Sequence, residues 1–304
     1  MASHGTCWRS FAAAWMAVAC SPGNAEEFAT IRPLGFEGAA ATVRAVLTLP
    51  AAALRPTWDA EGGPVIVVVP DHLGLDERAE FHTTALLAAG IAVLGLDIAP
   101  GTGVNSWSRL VPREARINTA DGLLPALFGA LRALDAERPS RHRAVGVLGF
   151  GAGGEAAVVA AHEAVAEVFL PGPDAPRFRA HAAFYPACDG SFLRGLRNTH
   201  APTTKTPILV VLAHDGGPGD DPGGCGVFFD HKDPHEPDPF IVRAYPWMYY
   251  GFDLWPAVAA IAARRHQPFP GGMDSARFDA ASAELARRDL AAVLIPALVP
   301  VQRP

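Results

Sequence analysis

The sequence predicts an α/β fold: a mostly parallel sheet with helices on both faces. Three observations carry this. Short apolar runs alternate with helix-patterned segments along most of the chain. The central runs, Val65-Ile66-Val67-Val68-Val69 above all, lack period-two alternation, as expected of strands buried on both faces. Half of the 304 residues are apolar, enough for a sizeable core, and a single domain is expected.

Ala45-Val46-Leu47-Thr48-Leu49 is expected to form an early edge strand, and Val65 to Val69 a buried one. A helix from about Asp76 to Ala89, stopped by Gly90, leads to a strand Ile91 to Leu96 and a helix around Leu123 to Leu134. Ala144 to Leu148 supplies the next strand, followed by a helix from Glu155 to about Val168. Strands are then expected near Ala182, Val210 and Val242. The last helix is expected from about Ala276 to Leu294, with Asp274 or Ser275 as its N-cap. Residues 216–226 and 266–272 are rich in proline and glycine and read as loops within the domain.

Arg9, the apolar stretch Phe11 to Cys20 and the small residues up to Ala25 have the layout of an export leader. This divides the chain into a leader, 1–25, and a domain, 26–304, that is secreted or periplasmic. Ala17-Val18-Ala19-Cys20 is also a weak lipobox, through which Cys20 would be lipidated. No later run approaches about 20 apolar residues, so no integral membrane segment is expected after the leader. The net charge of -6, from 25 basic and 31 acidic residues, offers no basic stripe for phosphates, which argues against nucleic acid as a partner. Without the leader, the cysteines that remain are Cys188 and Cys225. They read either as a disulfide in an oxidising compartment or as two buried free thiols.

Gly149-Phe150-Gly151-Ala152-Gly153-Gly154 follows an apolar run and opens an alanine-rich helix. This is the layout of a nucleophile elbow, G-x-S-x-G, in which glycines relieve crowding around a Ser or Cys on a strained turn. Here the central residue is Gly151, which has no side chain. The same stretch satisfies G-x-G-x-x-G through Gly149, Gly151 and Gly154, which opens a dinucleotide-binding alternative. Its context is poor, because the motif follows two earlier strand-helix units. Residues 171–176, bounded by prolines, also stand where an acidic residue would hold the ribose. No cofactor is expected. His214, His231 and His235 lie among acidic residues, but Pro234 and Pro237 oppose the helix that would align the last two, so the stretch reads as a solvated loop and not a metal site.

Several segments together resemble the dienelactone-hydrolase-like branch of the α/β-hydrolase fold. They are Pro70-Asp71-His72-Leu73-Gly74-Leu75-Asp76, Gly149 to Gly154, Phe184-Tyr185-Pro186-Ala187-Cys188, the stretch Pro207 to Asp215, and Tyr245-Pro246-Trp247-Met248-Tyr249-Tyr250-Gly251-Phe252-Asp253. The resemblance implies a Ser/Cys–His–Asp triad whose nucleophile position is Gly151, base position Tyr250 and acid position Asp215. Only the acid keeps its chemistry, since a phenol of pKa about 10 is a poor base beside an imidazole near 6.5. The resemblance also implies an oxyanion hole from the backbone N–H of Ala152 and one from His72 or Leu73. The expectation is therefore a hydrolase scaffold that is non-catalytic or very weak, a pseudoenzyme binding a small molecule or partner at its former pocket. The alternative is an active ester or lactone hydrolase with an unidentified nucleophile. Trp247, Met248, Tyr249 and Tyr250 would line that pocket or pack in the core.

Overall fold

In the computed structural model, the described residues are 25–31, 43–50, 54, 63–71, 74–97, 120–137, 144–186, 188, 202–213, 239–245, 248, 251–254 and 278–299. They form β1 (Ala25–Ile31), β2 (Val43–Thr48), β3 (Val65–Val69), α1 (Glu77–Ala88), β4 (Ala92–Asp97), α2 (Ala120–Glu137) and β5 (Val145–Phe150). These are followed by α3 (Ala152–Val159), α4 (Glu163–Phe169), β6 (Ala180–Phe184), β7 (Ile208–Ala213), β8 (Phe240–Tyr245) and α5 (Ala280–Leu298).

The sheet has eight strands in the order β1-β2-β4-β3-β5-β6-β7-β8. β2 is antiparallel to both β1 and β4, and β3 to β8 pair with one another in parallel. The expected mostly parallel sheet is therefore present. β3 is wholly buried, and its residues alternate between two cores: Val65, Val67 and Val69 face one, Ile66 and Val68 the other. Helices α2, α3 and α4 cover the first face, and α1 and α5 the second.

Four expectations are corrected. β2 is not an edge strand: β1 lies outside it, paired from Ala25↔Thr48 to Ile31↔Val43. The single helix expected from Glu155 to Val168 is two helices, broken at residues 160–162. There His162 bridges to Thr203, the Glu163 N–H donates to the Pro202 carbonyl, and the Thr204 N–H donates to the Ala161 carbonyl. A distant strand-like segment thus captures backbone groups that a continuous helix would use. The last helix starts later than expected, because Asp279 is its N-cap and accepts from the Ser282 N–H at 2.7 Å. It also runs on through Pro296, so that Ala283, Ala286, Leu290, Leu294 and Leu298 form one buried stripe.

Candidate active site

The strand order reverses direction around β3. The chain goes from β3 out to β4, then returns across β3 to β5 and continues the other way. Ligands of open α/β sheets bind at such a switch point, beyond the carboxyl ends of the strands. The carboxyl ends of β3 and β5 lead into Pro70–Asp71 and into Gly151. β7 ends two residues before Asp215, and β8 five before Tyr250. His72, Leu73, Asp215, Tyr250 and Cys225 lie outside the described residues, as does the 214–236 stretch considered for a metal. Among the described residues no group of metal-ligand type gathers.

Gly151 has φ 54° and ψ −118° and is the N-cap of α3. That is the sharp strand-to-helix turn of an elbow, in a region that favours glycine. Its N–H donates to the Phe184 carbonyl at 2.8 Å, tying the turn to β6, and its carbonyl accepts from the Glu155 N–H at 2.9 Å. Ala152 is the first residue of α3, where backbone N–H groups have no acceptor within the helix. The flanking glycines have a packing reason of their own. A Cβ on Gly149 would stand 1.9 Å from the Gly153 carbonyl oxygen, and one on Gly153 only 2.2 Å from that of Val69. Both let α3 press against the strand ends.

Beneath the elbow lies a buried polar cluster that the sequence reading missed. Arg78 Nη2 donates to Asp71 Oδ2 at 2.8 Å and to Asp76 Oδ2 at 2.7 Å, and its Nε donates to Asp76 Oδ1 at 3.0 Å. Its guanidinium lies 5.2 Å from the centre of the Phe150 ring. His82 Nε2 and Asp253 Oδ2 are 2.6 Å apart, both side chains wholly buried. Burial pushes the Asp253 carboxyl up, but the hydrogen bond and charge of His82, the charge of Arg78 and the Tyr185 hydroxyl outweigh it and hold it below the usual range. An ionised carboxylate only accepts, so His82 carries its proton on Nε2. At Asp76 burial prevails over Arg78 and leaves the carboxyl raised. Tyr185, buried at the end of β6, has φ 53°, a strained value for a non-glycine residue. Arg78 and His82 sit four residues apart on α1, a spacing that signals a shared face but not that the face is buried.

Of the aromatic stretch, Met248 is half-buried and packs on the α1–α5 core, and Phe252 lies within it, 5.6 Å from the Tyr185 ring. Cys188 is buried just past β6. Among the described residues no helix is long and apolar enough to cross a membrane.

No family model matches the chain, and no curated protein matches it in sequence. Solved structures do match. A dienelactone hydrolase from Anabaena variabilis is 19% identical, with 80% of this chain and 95% of that one covered, at TM-score 0.51. A dienelactone hydrolase-like promiscuous phosphotriesterase from metagenomic libraries is 17% identical, covering 91% and 99%, at 0.53. A thermophilic esterase from the Planctomycetes species Thermogutta terrifontis is 12% identical, covering 93% and 96%, at 0.54. The protein has the α/β-hydrolase fold. Dienelactone hydrolase-like structures and an esterase share this fold with the chain, and the fold is the one the sequence motifs led one to expect.

Proposed function

We propose that this protein is a dienelactone-hydrolase-like scaffold with negligible or very weak ester and lactone hydrolysis, which binds a small molecule at its former pocket. The observation that carries this is Gly151, which occupies the elbow turn at φ 54° without any side chain to attack a carbonyl. Loss of the nucleophile from such a unit costs several orders of magnitude in turnover, and what survives is binding and any oxyanion hole. Ala152, at the start of α3, and Leu73 are the positions assigned to that hole, suited to a carbonyl or carboxylate oxygen. Tyr250 at the base position and Asp215 at the acid position complete the altered triad. Close packing gives Gly149 and Gly154 a reason other than a phosphate ligand, since a Cβ on Gly154 would stand 2.8 Å from the Phe184 carbonyl oxygen.

The reading extends to compartment. Export through a leader at 1–25 and a Cys188–Cys225 bridge belong together, since a disulfide persists where the environment is oxidising. The parallel pairing of β6 and β7 supports the bridge, because both cysteines follow strands whose carboxyl ends share one edge of the sheet. Such a link would contribute about 3 to 4 kcal/mol by loop entropy.

The test compares the mature protein with its Gly151→Ser, Tyr250→His double variant on short aryl esters and enol lactones. The unmodified chain is expected to give no turnover above background and the double variant a measurable gain. Turnover by the unmodified chain at an ordinary enzyme's rate defeats the proposal. A folded double variant with no gain defeats the assignment of positions 151 and 250.

A further inference from the structure

A pocket at this switch point needs three segments held in mutual register: the turn after β3, the elbow after β5, and the stretch that adjoins position 250. Helix α1 reaches all three: Arg78 joins the first two, and His82 binds Asp253 in the third. Arg78 binds Asp71 at 2.8 Å, at the foot of the turn that Gly74 closes with its N–H on the Asp71 carbonyl. It lies over the ring of Phe150, the residue before Gly151. Its charge helps keep Asp253 ionised, and Asp253 in turn binds His82 on the same helix. Arg78 is 1% exposed. A buried ion pair is a poor source of net stability, because apolar residues of similar volume often serve as well or better. A planar fork that engages two carboxylates in fixed directions does supply geometry.

We infer that Arg78 is a positioning residue that couples the turn after β3 to the elbow. It thereby fixes where a bound carbonyl or carboxylate oxygen meets the amide of Ala152. The inference rests on the pocket reading proposed above, and the experiment separates the two.

Hydrogen exchange read by mass spectrometry is compared between the unmodified chain and Arg78→Lys, which keeps the charge but loses the fork. At least tenfold faster exchange is expected in peptides spanning 70–76 and 149–154, with α5 unchanged. Exchange raised only within α1, or uniformly over the molecule, overturns the inference. Should Arg78→Lys fail to fold, Asp71→Asn removes a single arm of the fork. It is expected to quicken exchange at 70–76 and also at 149–154, and a change confined to the first segment overturns the coupling. In parallel, sodium benzoate is titrated while the Ala152 amide resonance is followed. At least fivefold weaker binding is expected in Arg78→Lys, and equal binding counts against the positioning role. Failure of the unmodified chain to bind benzoate defeats the pocket reading, while the exchange data still decide the role of Arg78.

Discussion

His82 and Asp253, 171 positions apart in sequence, meet at 2.6 Å with both side chains wholly buried, fastening α1 to the stretch just after position 250. His82→Ala would leave an uncompensated carboxylate in the core, so a loss of about 3 to 5 kcal/mol is expected in urea unfolding. The Asp253 pKa is depressed by folding, so its contribution is present above the unfolded carboxylate range. It is lost as pH falls through the lower folded value. The stability of Asp253→Asn should accordingly be flatter with pH at the acid end, and an unchanged slope would contradict the depressed Asp253 carboxyl.

His181 supplies a second acid-sensitive element on the opposite face of the sheet. Its Nδ1–H donates to the Ala157 carbonyl at 3.0 Å, and its Nε2 has no partner among the described residues. Burial, together with the nearby His162, lowers its pKa to about 3, with the Ala157 bond opposing them. The unfolded chain binds this proton near 6.5 and the folded one does not. Stability is therefore full above about 6.5 and falls by about 1.4 kcal/mol per pH unit from there down to about 3, where the folded chain takes up the proton as well. His181→Gln should reduce that slope when urea midpoints are compared across the acid range.

Gly153 is a packing requirement, because a Cβ there meets the backbone of Val69 and Pro70, which cannot yield as a flexible side chain would. Gly153→Ala is expected to destabilise by about 1 to 3 kcal/mol or more. At Gly151 the cost has a different origin, the positive φ, and Gly151→Ala is expected to lose about 1 to 3 kcal/mol. Equilibrium unfolding of both variants measures this, and a stabilised Gly151→Ala would remove the elbow strain from the account.

Asp279 caps α5 through the Ser282 N–H at 2.7 Å, and Asp274 and Ser275 precede the helix. Asp279→Ala should cost about 0.5 to 2 kcal/mol in thermal or urea unfolding, and alanine at 274 or 275 much less. The reverse ranking would restore the earlier start of the helix.

The central strands were legible because burial on both faces requires nearly uninterrupted apolar residues: β3, β5 and β7 carry them, and β6 is interrupted only by His181. The elbow was legible because glycine is needed wherever backbones approach closely, as at Gly149 and Gly153. The break between α3 and α4 was not, since Ala160 and Ala161 favour helix and the interruption comes from Pro202, Thr203 and Thr204. β1 was also missed, since its first residue, Ala25, is the last of the expected leader and Glu26 and Glu27 follow it.

The sequence by itself determined the fold class and the absence of a side chain at Gly151, both of which follow from local residue chemistry. Only the tertiary structure decided that Arg78, His82 and Asp253 form a buried polar cluster beneath the elbow. Polar side chains on a helix ordinarily read as its solvent face. Their burial became tolerable only because carboxylates from distant segments, Asp71 and Asp253, arrive within hydrogen-bonding distance.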